Sequence, residues 1–320
     1  MSHRSGSLFE NAPFTTLCIG GCIAFYVFLT IVASRQPSGQ GSLFGGIPGD
    51  VLIQCGASWR EGVWDGGWQR FVLPMFMHAS LLHIALNLYS LYQMGPSVEV
   101  HFGSSNFGTI YVVSGVGGIC CSLLLGGHVS VGASTCLFGI LGAYLAAKVF
   151  ACWDWRRAVK NRDVRQTAFW IALNYALVGL AFPQVDNWGH LGGLILGFVY
   201  GGLFEYWRKH HRVGLALILS IVLLTAAGVV ACRWMVFSPH YHVHLALRAD
   251  AEGRAEEAQR QFEEARDWAK VRRSEAAGWE LYEAAFRAEE AGDYARRDAL
   301  VRIMEDVAPA SFLREVLGMR

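Results

Sequence analysis

One serine stands out by its surroundings. Ser134 lies in Val131-Gly132-Ala133-Ser134-Thr135-Cys136-Leu137-Phe138-Gly139-Ile140-Leu141-Gly142, inside a run from Phe102 to Ala147 that holds no Asp, Glu, Lys or Arg. A lone serine in an apolar helix is ordinary, because hydroxyls are common where membrane helices meet. This serine has company. His83 and Asn87 sit in an earlier hydrophobic stretch, and His190 opens a later one. Polar groups in lipid are costly and need a reason. The simplest shared reason is a nucleophile, a base and an oxyanion site built inside a membrane. A serine hydroxyl is a weak nucleophile until a base removes its proton. An imidazole, with an unperturbed pKa of about 6.5, suits that task at neutral pH. His83 and Asn87, four residues apart, share one face of a helix.

The elements that must carry these groups are membrane helices. Of the 320 residues, 53% are apolar and 17% charged, with net charge +1; an average globular domain carries roughly 25% charged residues. Near-neutral charge gives no reason to expect nucleic acid. A short tail, 1–13, precedes a first uncharged span, Phe14 to Ser34. Residues 35–70, rich in Gly and Trp, read as a loop packed at the interface. Further spans are expected at Phe71–Val98, Phe102–Gly126, Gly132–Ala147, Thr167–Ala181, Gly189–Phe204 and Val213–Cys232. Gly126-Gly127-His128 reads as a tight turn. Basic loops at 148–165 and 205–212 belong inside by the positive-inside rule. Alternation then puts the N-terminus inside and loop 35–70 and the C-terminus outside. Spans two, four and six all enter from the outer face, so His83, Asn87, Ser134 and His190 fall at one depth.

Beyond the last span, 237–320 is rich in Ala, Glu and Arg and reads as a soluble helical extension. Helices are expected over Ala251–Ala269 and Trp279–Ala291, with breaks near Gly253, Gly278 and Gly292. DAEGRAEEA and EEAGDYA echo one another, which admits two hairpins of tetratricopeptide type as well as a plain helical tail. His240, His242 and His244 alternate, a spacing that would align them on one side of a strand. The eight cysteines have neither disulfide-framework nor metal spacing.

Four separated segments, in order, give the chain its likeness. They are Trp68-Gln69-Arg70 with Met75-Phe76-Met77-His78, His83 and Asn87; Glu99 with Gly103, Ile110-Tyr111 and Ser114-Gly115; Gly132-Ala133-Ser134 with Phe138-Gly139; and Asp186-Asn187-Trp188-Gly189-His190-Leu191-Gly192-Gly193 with Gly197. Together they resemble a rhomboid intramembrane serine protease of peptidase family S54, over about residues 14–208. The resemblance implies an all-α polytopic membrane protein. It would hold a six-helix core (14–208), a seventh membrane helix (209–236) in a six-plus-one arrangement, and the α-helical extension. It implies a serine endopeptidase that cuts transmembrane segments near the outer face through an acyl-enzyme. Ser134 would be the nucleophile and His190 the base, without an acidic third member. His83 and Asn87 would donate to the oxyanion. His78, Gly132, Phe138, Gly193 and Gly197 would support the site, and Arg70 and Glu99 would hold the outer loop and a helix end. No cofactor or metal is implied. The expected partners are single-span or multi-span membrane substrates and the bilayer, with a protein partner for the C-terminal helices. The expected location is a bacterial inner membrane, N-terminus cytoplasmic and C-terminus external or periplasmic.

One position departs from the family's commonest pattern: Thr135 stands where glycine usually follows the serine. Its hydroxyl could bond back to the helix backbone and its branch could narrow the pocket for the residue before the cut, which bears on substrate preference more than on the reaction. A non-catalytic rhomboid-like scaffold that binds membrane helices is the competing reading. A transporter is disfavoured by the lack of mid-membrane Asp or Glu and of an inverted repeat.

Overall fold

The structure, a computed structural model, describes residues 11–36, 46–126, 129–152, 154–181, 185–209 and 238–317, with 219–220, 222–224, 226–228 and 231 between the last two ranges. Most of the expected seventh span, the first part of the N-terminal tail, Gly127 and His128 lie outside the described residues. The chain divides into two compact units, Met1–Ala231 and Cys232–Arg320. The described regular elements are helical, with one isolated bridge between Ser58 and Ser130.

In the first unit, α1 (Pro13–Ser34) starts with proline in its first turn, where a missing N–H costs nothing. Segment 46–76 is more ordered than a plain loop. It holds α2 (Gly49–Gln54), α3 (Arg60–Trp64) and two 3-10 turns, Trp68–Phe71 and Leu73–Phe76. Arg60 donates to the carbonyls of Leu123 (2.6 Å) and Gly126 and ties α3 to the end of α5 (Ser104–Leu125). The second span begins later than its hydrophobicity suggests: α4 is Leu81–Phe102, capped by the Ser80 hydroxyl on His83 N–H. Pro74 turns the preceding apolar residues into 3-10 structure, so hydrophobicity there marks burial and not helix. Then follow α6 (Ser134–Ala151), α7 (Trp155–Ala158), α8 (Arg162–Ala181) and α9 (Asn187–Lys209).

By length and apolarity, α1, α5 and α6 qualify as membrane-crossing among the described residues. Helices α4, α8 and α9 have the length of a span but carry more polar residues, among them Glu99, Asp163 and Glu205. The result is an all-helical membrane protein whose core is α5, α6 and α9, packed on one another.

Glycines make that core close. A Cβ on Gly193, Gly197 or Gly201 of α9 would strike the carbonyl of Thr135, Gly139 or Ala143 of α6, respectively. Both rows advance by four, so they run along facing ridges and bring the two backbones together.

In the second unit, α10 (Pro239–Ala251), α11 (Ala255–Ala269), α12 (Glu275–Glu290), α13 (Tyr294–Val307) and α14 (Ala310–Leu317) bury Val243, Leu281, Ala285, Leu300, Met304 and Phe312. Gly253 and Gly292 take φ of 75° and 77° and end α10 and α12. Gly278, expected as a break, lies inside α12. A Cβ there would come 2.7 Å from the Phe312 ring, so this glycine serves packing. The H-Y-H-V-H run is in α10, not a strand; the Ser238 hydroxyl caps it on Tyr241 N–H, with Pro239 next.

Candidate active site

Helix α6 begins at Ser134 itself. The turn feeding it is made by Gly132, at φ 127°, a region that side chains rarely tolerate. A Cβ at Gly132 would lie 2.8 Å from His83 Nε2 and 3.6 Å from Ser134 Oγ. The missing side chain therefore lets the His83 imidazole border the space beside the serine. Gly132 N–H donates to the Pro74 carbonyl at 2.9 Å, and Ala133 N–H reaches His78 Nε2 at 3.5 Å. His78 lies in the turn before α4, not on the helix, and its ring meets that of His83 edge-on, centroids 5.0 Å apart.

Helix α9 brings the other half. His190, 3% exposed, sits in its first turns with Nε2 2.7 Å from Ser134 Oγ. With the serine hydroxyl donating, the ring proton is assigned to Nδ1. That nitrogen is buried without a hydrogen-bond partner among the described residues. Phe138, one turn after Ser134, stacks on His190 with centroids 4.5 Å apart and planes at 21°. Tyr175 of α8 meets the Phe138 ring edge-on at 6.0 Å. The imidazole is held by packing against an aromatic face.

Asp186, unassigned on sequence grounds, positions this helix. Its Oδ1 accepts Gly189 N–H at 2.8 Å and its Oδ2 accepts the Ser130 hydroxyl at 2.6 Å. It thereby caps α9 and ties the start of that helix to the strand-like segment just before Ser134. An aspartate three residues before Gly189 is a readable capping signal; nothing in the sequence marks Ser130 as its partner.

Asn87 is 6% exposed, and its Nδ2 donates to the His83 carbonyl one turn back at 2.8 Å. One amide hydrogen is thus engaged by the helix, and its Oδ1 has no partner among the described residues. Thr135 is buried, 4% exposed. Its methyl is 3.0 Å from where a Cβ of Gly189 would be, and its Cβ is 3.0 Å from that of Gly118. Glycines on α9 and α5 make room for its branch, so it is a packing residue between helices.

Two expected positions lie away from the serine. The Arg70 guanidinium donates to the Ile53 and Ala57 carbonyls, each at 2.8 Å, and so gathers the loop. Burial holds Arg70 below its ordinary pKa, partly offset by Asp65. The Glu99 carboxylate accepts Phe14 N–H (2.9 Å), Thr15 N–H (2.7 Å) and the Thr15 hydroxyl (2.7 Å). It caps α1 from the far end of α4, where helix N–H groups lack partners.

Residues 65–207 match the family model described as Rhomboid domain. The chain carries a rhomboid domain over these residues. It is 31% identical over 192 residues to Rhomboid protease GluP of Bacillus subtilis (strain 168), covering 60% of this chain and 36% of that protein. It is 36% identical over 189 residues to RHOMBOID-like protein 6, mitochondrial, of Arabidopsis thaliana, covering 58% and 59%. It is 28% identical over 210 residues to Rhomboid-like protease 1 of Toxoplasma gondii, covering 61% and 67%. The chain thus spans about a third to two thirds of the length of these relatives. The rhomboid domain ends at residue 207, so the C-terminal helical unit lies outside it. Bacterial, plant mitochondrial and parasite proteins share the domain, and the domain alone therefore does not assign a compartment.

Proposed function

We propose that this rhomboid protein is an intramembrane serine endopeptidase with Ser134 as nucleophile and His190 as base. The observation that carries the reading is the 2.7 Å approach of His190 Nε2 to Ser134 Oγ. The lack of a partner on Nδ1 among the described residues supports a dyad without a third member. As Oγ attacks a substrate carbonyl, its proton passes to Nε2 and the carbonyl oxygen becomes an oxyanion. The Ser134 N–H at the start of α6, the His83 imidazole and the remaining Asn87 N–H are suited to receive it. Collapse expels the amine, which takes the proton from His190, and leaves the acyl-enzyme. Water, deprotonated by His190, then releases the acid.

A helix hides its carbonyls in hydrogen bonds, so substrates with Gly or Pro in the membrane segment are expected to be cut best. Entry between α4 and α8 is supported by their lack of extensive mutual packing among the described residues and by exposed Leu82, Leu86 and Tyr89 on α4 and Phe169 and Trp170 on α8. Ser134, His190 and His83 lie at the N-terminal ends of their helices. Arg156, Arg157, Lys160, Arg162 and Arg165 follow the other end of α6. By the positive-inside rule, the cut falls near the outer face of a bacterial-type inner membrane, with the N-terminus inside.

Cleavage of a single-span substrate by purified protein in liposomes tests this. Product from wild type, and none from Ser134→Ala or His190→Ala, is the expected result. Product from all three would sink the assignment. Substrate binding without product from wild type would instead favour a scaffold that holds membrane helices.

A further inference from the structure

Toward the end of α6 away from Ser134, a cavity of about 210 Å³ lies between α6 and α8. Tyr144 and Lys148 line it from α6, and Asp163, Gln166, Thr167 and Trp170 from α8. Ser134 and Lys148 ride the same helix, with about 21 Å of axis between them at 1.5 Å per residue. The dyad and the cavity thus belong to opposite leaflets of a hydrocarbon core about 30 Å thick. The lining carries both signs of charge. The Lys148 ammonium lies over the Tyr144 ring, 4.7 Å from its centroid. Asp163 sits in the first turn of α8, where its N–H donates to Asn161 Oδ1 at 2.9 Å. The two groups share one cavity without pairing: among the described residues no carboxylate comes within 4.0 Å of the Lys148 ammonium, and no cation within 4.0 Å of Asp163. Gln166 and Thr167 add an amide and a hydroxyl able to donate to phosphate oxygens. Trp170, 52% exposed, supplies the indole common at membrane interfaces.

Cationic cavities between membrane helices at this level take lipid headgroups. Arg162 and Arg165 stand outside the lining, so they draw anionic lipid without choosing a headgroup. We propose that the cavity binds one phospholipid whose headgroup carries a phosphate and a primary ammonium, of the phosphoethanolamine class. Lys148 takes the phosphate as a point charge, with Gln166 and Thr167 donating to its oxygens, and Asp163 accepts from the ammonium. The acyl chains run along exposed Phe169 and Trp170 of α8. A choline headgroup has no N–H for Asp163, and the Tyr144 face able to cradle it is taken by Lys148. A glycerol headgroup has no cation for Asp163. Helix α8 packs only lightly on α6 and α9, so the lipid would fasten α8 to α6.

The test uses full-length protein in detergent, freed of lipid, and reads lipid bound per chain by native mass spectrometry together with Tm. Neither readout depends on cleavage. The probes are phosphatidylethanolamine, phosphatidylcholine and phosphatidylglycerol of equal acyl length, and soluble phosphoethanolamine. Wild type is expected to saturate with a single phosphatidylethanolamine and to gain Tm with it. That lipid should bind about tenfold or more tighter than phosphatidylcholine, the scale of a hydrogen bond to a charged group. Lys148→Gln and Asp163→Asn are each expected to lose the preference, and Arg165→Gln to keep it. Helicity by circular dichroism checks that each variant is folded; Thr167→Val replaces any that is not. Equal binding of phosphatidylethanolamine and phosphatidylcholine by wild type would overturn the headgroup assignment. So would tightest binding of phosphatidylglycerol, strengthened further in Asp163→Asn, which would mark a site for anionic lipid. Soluble phosphoethanolamine binding as tightly as the lipid would make the occupant a soluble ligand. A preference unchanged in both cavity variants would place the lipid elsewhere.

Discussion

Gly132 and Thr135 flank the serine and do opposite things. Gly132 is a conformational requirement, set by its φ of 127° and by His83 on the side where a Cβ would go. Gly132→Ala should therefore displace His83 and strain the turn while leaving the helices in place. Its kcat/KM is expected to fall about 100-fold or more, the scale of a lost oxyanion donor, together with a fall in Tm, because a side chain at this φ is strained. Thr135 carries the opposite expectation. Its branch fills space between α5, α6 and α9, so Thr135→Gly should cost about 1–3 kcal/mol of stability. The profile of preferred residues before the cut should stay the same. A changed profile with unchanged stability would return Thr135 to the pocket. Ser134, His190 and His83 stand out in sequence as candidates because polar groups are unusual in apolar runs, whereas Phe138 enters only through the resemblance. Asp186 was not legible, because its partner Ser130 is remote in sequence.

At the scale of elements, the site depends on how closely α6 and α9 approach. Gly193, Gly197 and Gly201 on one helix face Thr135, Gly139 and Ala143 on the other. Gly197→Val should push the helices apart at the centre of this row. The expected result is loss of cleavage together with destabilisation of at least about 1–3 kcal/mol, read by thermal unfolding in detergent. Retained activity would show that the pair can slide without separating Ser134 from His190. The glycine spacing was visible in sequence; its exact opposite number on α6 was not, because the register of two helices is a property of both surfaces. Segment 71–80 shows the reverse limit. Its apolar residues read as the start of a span, yet Pro74 and Ser80 shorten the helix to Leu81–Phe102. His78 is thereby placed in a turn where it meets Ala133 N–H.

For the whole molecule, the rhomboid domain and the C-terminal helices are separate compact units. Under the proposed function, removal of 237–320 should leave cleavage of a minimal single-span substrate unchanged. It should reduce cleavage only of substrates whose external parts the extension recognises. Equal cleavage of every substrate tried, with and without the extension, would end a recruiting role for it.

Sequence by itself determined the membrane class and the largely helical build, and it singled out the candidate groups for chemistry. Those follow from local properties: long apolar runs, helical periodicity and polar residues that lipid would otherwise exclude. It misplaced what depends on distant partners. Whether H-Y-H-V-H lies on a strand or a helix, and hence which histidines share a face, was settled by the capped helix Pro239–Ala251 and by Glu280 of α12, which His240 and His244 both approach. That Thr135 packs against two glycines on other helices was visible only in the structure. The 2.7 Å contact of Ser134 with His190 belongs to the same group, since only packed backbones decide whether residues 56 positions apart come within reach.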